Sequence, residues 1–185
     1  VELQQIAEVF IEKVRIKYKL SGNRADVALQ VQLKSLVDEP RKVPLMIESD
    51  RFAYAENVTI PGNASEQYVI RQVLEGVKLW DVGEPNLYTF YVRTDQDDFT
   101  ERTGFRSVDV RNGQILINGK PVYLKGVNRH EEHPDWGFAF PHKLMHKDLE
   151  IIKALGCNSI RGSHYPNSKY WLDMLDEQGI VFWEE

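Results

Sequence analysis

Between Phe10 and Val92 the apolar residues recur at every second position. Val14, Ile16, Tyr18 and Leu20 alternate with Arg15, Lys17 and Lys19; after Ser21-Gly22-Asn23 the alternation resumes with Val27, Leu29, Val31 and Leu33. Successive side chains of a strand point to opposite faces, so the pattern predicts an antiparallel hairpin with one dry and one wet face. Further strand-length runs follow at residues 45–48, 51–60, 67–74 and 87–93, punctuated by Pro40, Pro44, Pro61-Gly62 and Gly83-Glu84-Pro85. About seven short strands in roughly 100 residues predict an all-β, immunoglobulin-like sandwich.

The period then changes. Gln96-Asp97-Asp98 is acidic and reads as a solvated connection. Asn112-Gly113 is a hairpin-turn signal, across which Val108 and Val110 are expected to pair with Ile115 and Ile117. Asn118-Gly119 leads into an apolar run over 122–127. Over 141–156, Met145, Leu149, Ile152 and Leu155 recur at spacings of four and three, which predicts a helix with one apolar face. A second apolar run ends at Ile160. Asn167 or Ser168 then caps a second helix carrying Trp171, Leu172 and Leu175, Gly179 ends it, and 180–183 forms a third strand. Strands that alternate with helices run parallel and gather their C-terminal loops on one side. The chain therefore divides into a β-sandwich over residues 1–108 and an α/β part over 109–185.

Composition narrows the function classes. A net charge of −5 over 185 residues gives no electrostatic footprint for nucleic acid. No run approaches the roughly 18 apolar residues of a membrane span, and no leader peptide heads the sequence. The single cysteine, Cys157, rules out an internal disulfide framework and suits a reducing, cytoplasmic bacterial setting rather than a secreted one. Lying in an apolar lead-in, it reads as a small core residue rather than a nucleophile.

Two polar runs stand at predicted strand ends: Gly126-Val127-Asn128-Arg129-His130-Glu131-Glu132-His133-Pro134 and Ile160-Arg161-Gly162-Ser163-His164-Tyr165-Pro166-Asn167. Each follows an apolar lead-in, offers several hydrogen-bonding groups and contains a proline that stops regular pairing. In this order and at this separation they resemble the first two barrel strands of glycoside hydrolase family 2, the β-galactosidases, β-glucuronidases and β-mannosidases. The resemblance extends to Thr103-Gly104-Phe105-Arg106, Leu116-Ile117-Asn118-Gly119-Lys120-Pro121 and Phe182-Trp183-Glu184-Glu185, and more loosely over residues 1–100 through Pro85-Asn86-Leu87-Tyr88. It implies that the α/β part is the opening of a TIM (β/α)8 barrel, its first three strands and two helices. Such barrels need about 250 residues, so residues 109–185 are read as an incomplete barrel and the chain as a fragment.

What the resemblance implies about chemistry follows residue by residue. Retaining glycosidases use two carboxyl groups about 5 to 5.5 Å apart. In the resembled family these are a glutamate after barrel strand four and one ending strand seven, both beyond this stretch. The expected role is thus part of a retaining β-glycosidase acting on terminal β-galactosides, inactive alone, with no catalytic residue and no metal ligand of its own. His130 and His164 match the family's two histidines at the sugar subsite, and Arg161 matches an arginine near the nucleophile. Asn128 is a further candidate for sugar binding. Magnesium, used by some members, would be held by later residues. The expected partner is a carbohydrate, and a barrel open after three strands leaves helix faces and a sheet edge uncovered, which favours a homo-oligomer or self-association. A glucuronidase or mannosidase is the alternative within the family. The first loop is nearer the galactosidase form, since glucuronidases carry lysine at the position of Arg129 and lack the following His-Pro. Phe182-Trp183-Glu184-Glu185 departs from the acidic-pair-plus-alanine ending of that subgroup.

Three rival readings come from the residues themselves. Glu131, Glu132 and Asp135 sit where barrel active sites are built, yet a carboxylate beside Arg129 is better suited to bonding that guanidinium or a backbone amide. Trp80, Tyr88 and Tyr91 could stack on sugars in a non-catalytic carbohydrate-binding module, although aromatic residues in strands usually fill cores. His130 with His133, or His142 with His146, could bind zinc, but the second pair lacks the glutamate of the metalloprotease motif and has Lys143 beside it.

Overall fold

A computed structural model describes residues 5–185. The chain forms two compact units. The first comprises residues 5–78 with Tyr88–Phe105, and the second Leu79–Leu87 with Arg106–Glu185.

The first unit has seven strands in two antiparallel sheets, an immunoglobulin-like sandwich. One sheet orders β1 (Val9–Ser21), β2 (Arg24–Ser35) and β5 (Ser65–Leu74) as β1-β2-β5. The other orders β4 (Ala53–Ile60), β3 (Arg41–Glu48), β6 (Tyr88–Arg93) and β7 (Asp98–Thr103) as β4-β3-β6-β7. The period-two pattern of β2 becomes a buried row: Ala25, Val27, Leu29, Val31 and Leu33 are all within the core. Each fully buried Leu or Val stabilises the sheet by about 1.5–3 kcal/mol. A bulge between Ile11 and Lys13 moves the buried positions of β1 from Val9 and Ile11 to Val14. Tyr88, at the start of β6, is buried, and its hydroxyl accepts the Lys78 N–H at 2.8 Å. This is the tyrosine corner that ties the entry of such a strand to the preceding connection.

Two details differ from the sequence reading. The acidic stretch at Gln96-Asp97-Asp98 is a tight turn in which Thr94 Oγ1 accepts the Asp97 N–H at 3.0 Å. It is followed by β7, whose Asp-Phe-Thr-Glu-Arg-Thr sequence hides an edge strand behind polar residues. Pro44 does not punctuate a strand but lies within β3, opposite Asn57. Pairing of β3 with β6 covers only Met46 to Glu48, so on that side Pro44 has no ladder bond to lose.

The second unit starts with a three-stranded meander of β8 (Val108–Arg111), β9 (Gln114–Ile117) and β10 (Lys120–Pro121). Val108 faces Ile117 and Val110 faces Ile115 across Asn112-Gly113, as the turn signal implied. Both turn residues have positive φ, 51° and 72°, as a primed two-residue hairpin requires. Residues 79–87 belong to this unit although they precede β6 in sequence. Trp80 anchors them, 2% exposed, with Nε1 donating to the Asp176 carbonyl at 2.8 Å and the Arg106 guanidinium 4.7 Å above the ring.

A parallel sheet follows, β11 (Gly126–Arg129), β12 (Ser159–Gly162) and β13 (Val181–Trp183) in chain order, with α1 (His142–Ala154) and α2 (Lys169–Gln178) as its crossovers. Met145, Leu149 and Ile152 of α1 pack with Ile160 and with Trp171, Met174 and Leu175 of α2. Cys157 packs against the edge of that cluster. Leu155, the fourth residue of the α1 spacing, is instead the helix C-cap and is 68% exposed. Ser168, rather than Asn167, caps α2, accepting the Trp171 N–H at 3.3 Å, and Gly179 closes the helix in the left-handed region.

Candidate functional site

The site is built where β11 and β12 end. Their parallel register sets Asn128 beside Arg161 and Arg129 beside Gly162, so the loops that follow leave the sheet together. This close approach needs small residues: a Cβ on Gly126 would lie 2.4 Å from the Ser159 carbonyl oxygen, and one on Gly162 would lie 2.3 Å from Phe182 Cζ. The outcome is that His130 and His164 meet edge to face with ring centroids 5.1 Å apart. Both rings are exposed, and Tyr165 lies 6.3 Å from His130. A neutral imidazole presents one donor and one acceptor, a pairing suited to sugar hydroxyls.

Arg161, paired with Asn128 in the register, makes four side-chain contacts. Nε donates to Glu185 Oε1 at 3.0 Å and Nη2 to Glu185 Oε2 at 2.8 Å, a bidentate pair. Nη1 donates to Ser163 Oγ at 2.9 Å, and Nη2 lies 3.2 Å from His164 Nδ1. Glu185 Oε2 is itself 3.5 Å from His164 Nδ1. Hydrogen bonds from the Arg161 guanidinium hold the Glu185 carboxyl below its ordinary value against opposing desolvation, and His164 adds to the lowering. Glu184 Oε1 accepts the Asn167 N–H at 3.1 Å. Asn128 is exposed and lines a cleft of about 570 Å³ on the sheet face away from the helices, together with Arg161, Trp183 and Glu184.

The carboxylates of the first loop separate. Glu131 is buried, receiving Arg129 Nη1 at 3.3 Å and the Ser168 N–H at 3.3 Å. Its role is the one expected of a carboxylate beside Arg129. Glu132 and Asp135 point to solvent, Asp135 3.7 Å from His133 Nδ1.

The rival readings lose their geometry. Trp80 and Tyr88 are core residues and present no face to a sugar, which removes the stacking platform; Tyr91 alone is exposed, at 43%. His142 stacks on Tyr170 with centroids 3.7 Å apart, and His146 Nε2 lies 2.7 Å from the Tyr170 hydroxyl, so this pair is engaged with an aromatic ring. Glu184 and Glu185 do not fit magnesium either, because both Glu185 oxygens face a guanidinium and Glu184 bonds a backbone amide.

Sequence reasoning brought His130, His164 and Arg161 together but did not find their partner Glu185. The available signal was the position of Glu184-Glu185 at the end of a third parallel strand, where Arg161 and Trp183 share a register.

A family model described as "Glycosyl hydrolases family 2" matches residues 9–106, and one described as "Glycosyl hydrolases family 2, TIM barrel domain" matches residues 108–185. The chain belongs to glycosyl hydrolase family 2. It is 31% identical over 96% of its length to a β-galactosidase of Thermoanaerobacterium thermosulfurigenes, covering 26% of that protein. It is 37% identical to a β-galactosidase of Actinobacillus pleuropneumoniae over 58% of its length and 11% of the relative's. Among solved structures, a family 2 β-galacturonidase from Eisenbergiella tayi bound to galacturonate aligns with a TM-score of 0.89 at 29% identity, over 97% of this chain and 33% of that one. The chain thus spans about a quarter or less of these curated relatives. Its fold is the sandwich followed by the opening of the barrel.

Proposed function

We propose that this chain supplies the sugar-holding side of a retaining β-glycosidase acting on terminal β-galactosides, and that the acid/base and nucleophilic glutamates come from residues outside it. The observation that carries the reading is the meeting of His130 and His164, their ring centroids 5.1 Å apart at adjacent strand ends, with Arg161 bonded to Ser163 and in contact with His164. Fixed donors and acceptors around a sugar ring contribute most when their hydrogen bonds strengthen as the ring flattens in the transition state. The engagement of two carboxylates of the site, Glu131 buried against Arg129 and Glu185 in a bidentate pair, supports assigning the chemistry to carboxylates elsewhere.

A neutral sugar suits this site better than a uronate. The cation at the strand ends, Arg161, is already occupied by Glu185, and Glu184 adds a second negative group. The structural likeness to a β-galacturonidase supports the second reading, a uronide substrate, whose carboxylate would need a cation from elsewhere in the complete protein.

The test is steady-state hydrolysis by the complete protein, expressed in a host lacking both activities. The expected result is a higher kcat/KM for a chromogenic β-galactoside than for the β-galacturonide, with His130→Ala and His164→Ala each lowering it by about 100-fold. Preference for the uronide would favour the second reading, and full activity in both alanine variants would remove the site assignment altogether.

A further inference from the structure

We infer that Glu131 is a positioning residue: it bolts the first histidine loop to the second and so sets the His130–His164 spacing at which a sugar is held. The inference rests on the subsite reading of the two histidines. Glu131 directly follows His130, and both its backbone and its side chain reach across to the other loop. Its N–H donates to the Tyr165 hydroxyl at 2.7 Å, and Tyr165 is the residue after His164. Its Oε2 accepts the Ser168 N–H at 3.3 Å, and its Oε1 is 3.4 Å from Ser168 Oγ, at the start of α2.

Oε1 also accepts Arg129 Nη1 at 3.3 Å, and the Arg129 side chain is only 5% exposed. That guanidinium lies 3.9 Å from the centroid of Trp171 and 4.9 Å from that of Phe140, and Nε donates to Asp148 Oδ2 at 2.9 Å. Arg129 therefore ties β11 to α1 and α2, and Glu131 carries the tie onward to the second loop. All of these bonds are made inside one compact unit; the Arg129–Glu131 bond is buried and the others are partly buried, and shielding from water strengthens such pairing. His130 and His164 themselves touch only edge to face, so their spacing is set by the bolts beside them rather than by their own contact. A displacement of about 1 Å in such a group can cost about 100-fold in rate.

The test uses the complete enzyme and a chromogenic β-galactoside, with rates divided by active sites titrated with a covalent inhibitor so that misfolded protein does not count. Glu131→Gln keeps the shape and removes the charge. Tyr165→Phe keeps the carboxylate and removes the acceptor of the Glu131 N–H, which gives a second, milder perturbation. Each is expected to lower kcat/KM per titrated site by about 10- to 100-fold. Combined with His130→Ala, each is expected to add nothing beyond the loss caused by His130→Ala alone, because both act through that ring. Full additivity, or unchanged kcat/KM in Glu131→Gln and Tyr165→Phe, overturns the positioning role while leaving the subsite reading intact. A neutral His130→Ala overturns both.

Discussion

Arg161 and Glu185 carry the main electrostatic contact of the site. The pair is bidentate yet only partly covered, so its contribution to stability is small. Its value lies in orientation, because the same guanidinium reaches Ser163 and His164. The lowered pKa of Glu185 gives the sign of its pH dependence: the pair is fully formed above the ordinary carboxylate range and is lost as pH falls through the lowered value. In an NMR titration the Glu185 carboxyl is expected to titrate below an unperturbed glutamate and to move upward in Arg161→Ala; an unmoved midpoint would contradict the assignment. Arg129 is the opposite case. Arg129→Ala strands Glu131 in a buried position and is expected to destabilise the unit by about 3–5 kcal/mol in denaturant unfolding, whereas a loss under 1 kcal/mol would mean that water reaches the carboxylate. At this scale the nearness of the His130 and His164 loops was legible, because a strand-helix-strand pattern forces parallel neighbours whose loops emerge together; the roles expected of His130, His164 and Arg161 came from the family resemblance alone. Glu185 was not, since the choice of a guanidinium's partner depends on the register of a third strand.

Among the elements, the parallel sheet depends on two glycines where strands and side chains come close. Gly162→Ala would push its methyl into Phe182 and Asn167, and it is expected to cost about 1–3 kcal/mol and to loosen β13. Thermal unfolding measures the first effect and amide exchange over Val181 to Trp183 the second; unchanged stability would mean that the Phe182 ring moves aside freely. Ser168→Ala removes the α2 cap and is expected to cost about 1 kcal/mol. Most elements could be read from period alone: the alternation of β2, the apolar stripe of α1 and the Asn112-Gly113 hairpin all rest on local geometry. β7 could not, because an edge strand with a polar sequence carries no alternation. The bulge in β1 left a trace, the consecutive polar pair Glu12-Lys13 between Ile11 and Val14, which an alternation counted from Val14 onward passes over. Residues 79–87 were misleading in another way, as sequence order places them among sandwich strands while Trp80 bonds α2.

At the scale of the whole molecule, the second unit leaves an apolar face open. Val108, Val110 and Trp183 are 62%, 72% and 62% exposed around the cleft lined by Leu124 and Val181. An uncovered apolar face of this kind favours association. The isolated chain is expected to self-associate in sedimentation velocity, and a Trp183→Glu variant to shift it toward monomer; a monomer at all concentrations would contradict this. Among the described residues no helix is long and apolar enough to cross a membrane. The proposed function divides the labour, with the sugar held by residues of this chain and the bond broken by carboxylates outside it. Retaining hydrolysis passes through a covalent glycosyl-enzyme, so the most direct measurement is to trap that species on the complete protein with a mechanism-based fluoroglycoside and map the labelled peptide. The label is expected on a glutamate outside residues 1–185, with labelling slowed by His130→Ala and His164→Ala. A label on Glu131, Glu132, Glu184 or Glu185 would contradict it.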